Sequence, residues 1–340
     1  MTRSEPKPVP SSGRQGKVDQ QSNRAARPRV SLALGGGGGR GIAHLGVLQA
    51  ISESELEVER ISGISIGAVA GALYATGAEI GEIHRQVLAF IESPSFRRRQ
   101  SQMFGATPSR GHGAGAAGWL SRFKRIFTAH QSMTRAIRHA AILPASVLQH
   151  VVDTLLPDID IEDVKVPLTV VAVDLRSGKR VVLDRGPLRE AVRASASIPG
   201  VFPPVPWEDQ LLCDIGVFES VPVITAKQYA SGRTIAVDVS DQVAPVEQCK
   251  NILEVFSRVQ HLAECELRQY SLKHADIVIR PAIGRRPWFD FSAPEQLISI
   301  GRESAHQLLG GIRSDAEGRT AGAATFVPQW PVPNVRQFTS

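Results

Sequence analysis

Short apolar runs alternate with segments of helical periodicity through the middle of the chain. RVSLALGG (29–36) ends in glycines and predicts a buried strand, and IAHLGVLQAI (42–51) has the spacing of a helix. VERISGIS (58–65) and IGAVAGALYATG (66–77) repeat this order, with Gly77 closing a helix of small residues. Such alternation predicts an α/β fold whose mostly parallel central sheet is covered by helices on both faces. Further strands are predicted at 167–175, 179–184, 233–240 and 275–281, and further helices at 187–197 and about 250–273.

The two ends of the chain lack this alternation. Residues 1–28 are rich in Pro, Ser, Gln and Arg, which favours a disordered basic tail, and residues 311–340 are interpreted as a loose C-terminal extension. One domain is therefore expected over 29–310. The N-terminus has no apolar stretch, and no run approaches the ~20 apolar residues that span a bilayer, so we expect neither a signal peptide nor a transmembrane segment. Three scattered cysteines agree with a cytoplasmic protein.

The net charge of +6 is concentrated in two segments. Residues 1–30 carry seven Lys and Arg against two acidic residues, and residues 93–152 carry nine Lys and Arg and no acidic residue, so the remainder of the chain has a net charge of −8. Local basicity of this kind predicts peripheral contact with an anionic surface, such as the inner face of a membrane. No nucleic-acid-binding module accompanies the charge, so nucleic acid is not an expected partner.

Residues 93–140 are interpreted as an insertion that forms a lid or a membrane contact. A flexible run (105–118) precedes a segment in which apolar and basic side chains interleave at helical spacing, as in an interfacial helix. The other interpretation is a helix that covers the body of the protein, preceded by a basic linker. The apolar set is Trp119, Phe123, Ile126 and Phe127, and the basic set is Arg122, Lys124 and Arg125.

A glycine loop, Gly35–Gly39, follows the first predicted strand. Consecutive glycines let the backbone turn with positive φ and let a ligand approach the amides, and amides at a helix N-terminus favour negative charge. Two ligands fit this loop: the pyrophosphate of a dinucleotide, through Gly36, Gly38 and Gly41 as GxGxxG, and the oxyanion of an acyl-transfer intermediate. His44, just beyond the loop, is interpreted as ordering the local structure.

A second motif discriminates between these ligands. Gly63-Ile64-Ser65-Ile66-Gly67 is GxSxG at a strand-to-helix junction, the context of a nucleophile elbow. A dinucleotide site would instead place an acidic residue about 20 residues after the loop, at the end of the next strand, where this chain has the elbow. We therefore predict Ser65 as a nucleophile, with Gly63 and Gly67 supporting the turn.

Asp214 is a third candidate. It follows the apolar stretch 211–213 and precedes Gly216, so we expect it at the end of a strand. Such an Asp is by itself more typical of a turn.

Together these motifs resemble the bacterial patatin-like phospholipase family. The resemblance implies a layered α/β/α fold and a serine hydrolase that cleaves fatty acyl esters of phospholipids or lysophospholipids without a cofactor. Metal ligation is also not expected, because no histidine pair has metal-binding spacing with acidic partners. The resembling blocks, in the family's order, are LALGGGGGRGIAHLGVLQAI (32–51), GISIG (63–67), ASASIPGVFPP (194–204), CDIGVFESVPV (213–223) and ADIVIRP (275–281).

The resemblance also implies the role of each site residue. In that family the elbow serine attacks the ester and the Asp of a DG[GA] motif acts as the base without a histidine, which assigns Ser65 and Asp214 as a catalytic dyad. Gly216 is the last residue of the motif, and Ile215 stands where the family has its middle glycine. The oxyanion segment would comprise Gly36, Gly37, Gly38, Gly39, Arg40 and Gly41.

Two other functions stay open at this point. A soluble carboxylesterase with a Ser–His–Asp triad would place its histidine after the Asp, at His261, His274 or His306. His274 has the best position of these, although it lies at the start of a predicted strand, opposite to the edge that would carry the site. The other alternative is a binding module, non-catalytic or dinucleotide-binding, that uses the glycine loop alone.

Overall fold

The apolar runs of the sequence form the centre of an eight-stranded sheet. The computed structural model describes residues 27–104, 141–241, 243–246 and 248–316. In this part of the chain the strands are β1 (Arg29–Leu34), β2 (Glu57–Gly63), β3 (Leu168–Asp174), β4 (Arg180–Leu183), β5 (Val205–Trp207), β6 (Gln210–Cys213), β7 (Arg233–Val237) and β8 (Ile277–Ile279).

The strand order is β5-β6-β3-β2-β1-β7-β8, with β4 also paired to β3. The five strands from β3 to β8 along this order run parallel to one another. Strands β4 and β6 pair with β3 in antiparallel fashion, and β5 pairs in the same way with β6. The mostly parallel α/β sheet predicted from the sequence is therefore confirmed, with an antiparallel end beyond β3.

Helices follow most of the strands, as the apolar periodicity predicts. Gly46 and Gly301 lie where two of these helices, Ala43–Ser52 and Pro294–Ala316, cross closely. A Cβ at Gly46 would lie 1.8 Å from the carbonyl oxygen of Ile298, and one at Gly301 would lie 2.0 Å from that of Ala43. Short 3-10 turns occur at Gly38–Ile42 and Ile161–Asp163. The described helices are α1 (Ala43–Ser52), α2 (Ile66–Ala75), α3 (Ile80–Glu92), α4 (Pro94–Phe104), α5 (Ser146–Leu155), α6 (Leu188–Ser195), α7 (Val223–Tyr229), α8 (Ile252–Leu272) and α9 (Pro294–Ala316).

The register of the central strands places the candidate motifs side by side. Leu34, the last residue of β1, pairs with Gly63, the last residue of β2, and also with Val237 of β7. The glycine loop and the serine elbow therefore leave the sheet at adjacent points of one edge. Leu34 is fully buried, so the strand ends that carry both motifs adjoin the hydrophobic core.

Several predictions about the ends and the insertion fall outside the described residues. Residues 1–26, 105–140 and 317–340 are not described, so the basic tail, the lid or membrane-contact role of 93–140 and the C-terminal extension stay predictions. Strand β1 begins at Arg29, and α9 continues past residue 310 to Ala316. Among the described helices, none combines the length and apolar character that crossing a bilayer requires.

Candidate active site

Ser65 lies at the sharp turn between β2 and α2. Its backbone has φ 55° and ψ −124°, a left-handed conformation that is strained for a residue with a side chain. Glycine is required on both sides of it: a Cβ at Gly63 would lie 2.6 Å from the Cα of Ala68, and one at Gly67 would lie 2.2 Å from the carbonyl oxygen of Leu34. The elbow predicted from GxSxG is therefore present, and close packing explains the two glycines that flank Ser65.

A buried serine holds this strained turn. The backbone N–H of Ser65 donates to the hydroxyl oxygen of Ser195 at 2.9 Å, and that hydroxyl donates to the carbonyl oxygen of Val171 at 2.6 Å. Ser195 ends α6 and is fully buried, so the elbow is tied to both α6 and β3. Sequence reasoning missed this residue, whose only signal is its place in the block ASASIPGVFPP.

Asp214 directly follows β6, and its carboxyl group lies close enough to the Ser65 side chain for that side chain to lower the pKa of the carboxyl group. The N–H of Gly216 donates to Oδ1 of Asp214 at 2.7 Å, and the N–H of Asp214 donates to the carbonyl oxygen of Ser197 at 3.0 Å. Burial raises the pKa of Asp214 to about 6, although the interactions with Ser65 and Gly216 act in the opposite direction. The structure thus places the two residues of the predicted dyad next to each other.

Ile215 fits the motif without backbone strain. The described non-glycine residues with positive φ are Ser65, Glu208 and Ala293, so Ile215 does not adopt the conformation that favours glycine. Its side chain is 2% exposed and belongs to an apolar cluster under the elbow. At Gly216, in contrast, a Cβ would lie 3.0 Å from Oδ1 of Asp214 and would crowd the carboxylate.

The glycine loop offers fewer free amides than the sequence predicts. The N–H of Gly36 donates to the carbonyl oxygen of Ser220 at 2.8 Å, and the N–H of Gly39 donates to that of Trp288. In the described part of the chain, no acceptor is assigned to the N–H groups of Gly37 and Gly38. Gly36 and Gly39 therefore anchor the loop, which leaves the amides of Gly37 and Gly38 without such a partner among the described residues.

Close packing explains why the loop consists of glycine. Gly38 has φ +59°, and a Cβ there would lie 2.1 Å from the carbonyl oxygen of Trp288. A Cβ at Gly36 would lie 3.5 Å from the Cβ of Ser65, so the loop passes directly over the elbow. At Gly41 the nearest atom to an added Cβ would be Cγ2 of Ile66, at 2.3 Å.

Arg40 acts on the loop through its side chain. Its Nε donates to the carbonyl oxygen of Gly37 at 3.1 Å, and its guanidinium lies 3.5 Å from the carboxylate of Asp241. Burial lowers the pKa of Arg40, and the nearby charge of Asp241 partly offsets that effect. Arg40 therefore fixes the peptide that precedes Gly38.

The histidines of the alternative triad lie elsewhere. The His274 ring lies edge-on to Tyr270 with centroids 5.4 Å apart, and His306 lies 3.1 Å from the carboxylate of Glu53. His261 is half-buried on α8, and desolvation lowers its pKa. Among the described contacts, none joins these three to Ser65 or Asp214, so the triad has no support in the geometry.

His44 has a local structural role, as the sequence predicts. It is fully buried, and its Nε2 donates to the carbonyl oxygen of Gly35 at 2.8 Å. Burial lowers its pKa to about 4, so the ring is neutral at physiological pH. The described residues contain no cluster of three or more His, Cys, Asp or Glu side chains arranged to hold a metal ion.

The sequence model of the patatin-like phospholipases matches residues 32–227. The chain belongs to this family. An uncharacterised NTE family protein of Mycobacterium bovis is 32% identical over 220 residues, which are 65% of this chain and 51% of that protein. Patatin-like phospholipase domain-containing protein 6 of Mus musculus is 28% identical over 310 residues, which are 83% of this chain and 20% of that protein. This patatin-like chain thus spans about half the length of the first of these relatives.

Among solved structures, VipD from Legionella pneumophila aligns with 84% of the patatin-like chain and 67% of its own chain, with a TM-score of 0.41 and 14% identity. The family match covers the glycine loop, the elbow and Asp214. The family and the α/β fold predicted from the sequence are therefore confirmed.

Proposed function

We propose that this patatin-like protein is a serine hydrolase that cleaves fatty acyl esters of phospholipids or lysophospholipids. The observation that carries the proposal is the proximity of the strained Ser65 to the buried Asp214, directly below the glycine loop. A serine hydroxyl becomes an effective nucleophile when a base is positioned to take its proton. The family match and the word phospholipase in the name of the Mus musculus relative support a lipid ester as the substrate class.

In the first step, the hydroxyl oxygen of Ser65 attacks the ester carbonyl while its proton passes to Asp214. The raised pKa of Asp214, about 6, leaves the carboxylate ionised at neutral pH and more basic than an exposed Asp. A general base is most effective when its pKa lies near the working pH. Burial therefore serves the reaction by raising the basicity of the group that takes the proton.

The negative charge that develops on the carbonyl oxygen would be stabilised by the N–H groups of Gly37 and Gly38, which lie at the N-terminus of the turn Gly38–Ile42. Each preorganised donor of this type contributes about 3 kcal/mol to transition-state stabilisation. Asp214 then returns its proton to the leaving alcohol, which breaks the ester bond and leaves an acyl group on Ser65. Water, deprotonated by Asp214, hydrolyses this acyl-enzyme and restores Ser65.

A phospholipid substrate resides in a membrane, so we infer peripheral contact with a lipid surface, at the cytoplasmic face. The reaction as written uses the side chains and amides of this chain and needs no cofactor. Both inferences depend on the lipid substrate.

A lipid-panel assay tests the proposal. The wild-type protein and Ser65→Ala are incubated with phospholipids, lysophospholipids and short-chain esters, and the products are identified by mass spectrometry. We expect release of fatty acid by the wild type and none by Ser65→Ala. Equal release by both would exclude Ser65 as the nucleophile, and no release from any ester would favour a binding module.

A further inference from the structure

The outward face of α8 carries an apolar stripe. Five side chains on this face, spaced by one, three or four residues, are between 40% and 70% exposed. Helices of soluble domains normally turn such a stripe toward the core, and contiguous exposed apolar patches mark surfaces that bind a partner or a membrane. We call this set the outer stripe: Ile252, Val255, Phe256, Val259 and Leu262.

The inward face of the same helix is polar and held by ion pairs. Arg268 is 3% exposed and lies 3.5 Å from the carboxylate of Asp238 and 3.4 Å from that of Glu264. Its Nη2 also donates to the carbonyl oxygen of Asp241 at 2.8 Å. Turning α8 to bury the outer stripe would break these contacts, so they hold the helix in its observed orientation.

This inward face borders the candidate active site. Asp241 pairs with Arg40, whose Nε bonds to the carbonyl oxygen of Gly37. Glu264 interacts electrostatically with both Arg40 and Asp214. The helix therefore forms a wall of the site with its polar side and presents its apolar side to the exterior.

A second exposed apolar side chain lies on the loop that follows Asp214. Phe218 is four residues after Asp214, and its side chain is 65% exposed. Its N–H donates to the carbonyl oxygen of Ile215, which holds the loop in a tight turn. The exposed apolar surface near the site therefore includes Phe218 as well as the outer stripe of α8.

The charges around the outer stripe identify the surface that it fits. The segment from Lys250 to Lys273 contains four Lys or Arg and three Glu, so it is nearly neutral. An apolar stripe with this balance matches the boundary between headgroups and acyl chains of a zwitterionic bilayer, where affinity comes from buried apolar area. The basic segments of the chain, in contrast, would favour anionic lipid.

We propose that the outer stripe of α8 inserts into the surface of a zwitterionic phospholipid membrane and holds the domain at the bilayer. The proposal rests on the lipid hydrolase function proposed above, because a membrane-resident ester must reach Ser65 from the bilayer. Beyond that function, the proposal names the surface that contacts the membrane, the outer stripe, and the apolar insertion that holds the protein at the membrane.

Vesicle sedimentation tests the docking surface apart from catalysis. Ser65→Ala protein, with and without Phe256→Ser plus Val259→Ser, is mixed with phosphatidylcholine vesicles at about 0.1 M and about 0.5 M salt. The matched control is Leu308→Ser on α9, since Leu308 is 42% exposed. We expect the double variant to bind at least about tenfold more weakly, the control to bind as before, and salt to change binding by less than about twofold.

Three results would overturn the proposal. Unchanged vesicle binding by the double variant would exclude the outer stripe, and a second variant, Ile252→Ser, repeats the test at the first turn of the helix. Binding that is lost at high salt would assign the contact to basic segments. A change from dimer to monomer in light scattering, with vesicle binding unchanged, would make the stripe an interface between two copies of this chain.

Activity separates this proposal from the proposed function. With Ser65 intact, Phe256→Ser plus Val259→Ser should hydrolyse a soluble short-chain ester at the wild-type rate and vesicle phospholipid at least about tenfold more slowly. The soluble rate also shows that the variant is folded. If the wild type hydrolyses neither substrate, the proposed function fails, whereas the sedimentation result still decides the docking surface.

Discussion

Replacing Asp214 by Asn should make the folded protein more stable at neutral pH and the enzyme slower. Asp214 is 8% exposed, and burial raises the pKa of its carboxyl group from the ordinary 3.8 to about 6. Its ionised form is therefore disfavoured in the folded protein relative to the unfolded chain. Asn keeps nearly the same shape and has no charge to bury, so it removes this cost together with the base.

The size of the effect follows from the two pKa values. Because the unfolded chain releases the Asp214 proton first as the pH rises, the free energy of unfolding falls with pH, starting near 3.8 and ending above 6. The resulting cost is about 1.6 kcal/mol at pH 5 and about 3 kcal/mol at pH 8. The stability gain of Asp214→Asn should therefore grow by about 1.4 kcal/mol between these pH values, since constant differences between the side chains cancel.

Urea denaturation of the wild type and of Asp214→Asn at pH 5 and pH 8 measures this change. The turnover of the wild type should rise with pH and reach half its maximum near the pKa of Asp214, about 6, because the ionised carboxylate is the active base. Asp214→Asn should lose about 10²–10⁴-fold in kcat. A stability difference that stays constant between pH 5 and pH 8 would refute the raised pKa, and full turnover of the variant would refute the role of Asp214.

Three further substitutions test the rest of the site. Gly38→Ala should lower kcat about 10²–10³-fold, because the added Cβ would lie 2.1 Å from the Trp288 carbonyl oxygen and displace the loop. Steady-state kinetics equal to those of the wild type would exclude the loop amides as oxyanion donors. Ser195→Ala should lower the free energy of unfolding by about 1–3 kcal/mol, because the buried N–H of Ser65 loses its acceptor. An unchanged midpoint of urea denaturation would contradict the role of Ser195. His274→Ala should leave kcat/KM unchanged, whereas loss of turnover in a folded variant would restore the triad.

The strands that carry the site could be predicted because parallel strands in the centre of a sheet are buried on both faces. They therefore appear as continuous apolar runs, as in 29–36 and 58–65, and the structure places β1 and β2 there. Strand β5 has three residues, Val205–Trp207, too few to establish a period. Helix α3 was not predicted, although its buried side chains recur at helical spacing: Ile83, Val87, Phe90 and Ile91.

The site could be predicted only where side-chain identity carries the chemistry. Ser65 and Asp214 lie in recognisable motifs, and the structure places them next to each other. No sequence motif shows which amides of the glycine loop are already hydrogen-bonded, because their acceptors are the backbone carbonyls of Ser220 and Trp288, which lie in distant parts of the chain. Backbone acceptors carry no residue-type signal. The bond from Ser65 to Ser195 likewise spans 130 residues, so only the fold reveals it.

The central claim, that Ser65 is a nucleophile activated by Asp214, is tested most directly by a fluorophosphonate probe followed by peptide mass mapping. We predict an adduct on Ser65 in the wild type, no adduct in Ser65→Ala, and labelling that is slower by about 10²–10⁴-fold in Asp214→Asn. An unlabelled wild type, or an adduct on another residue that persists in Ser65→Ala, would contradict the claim.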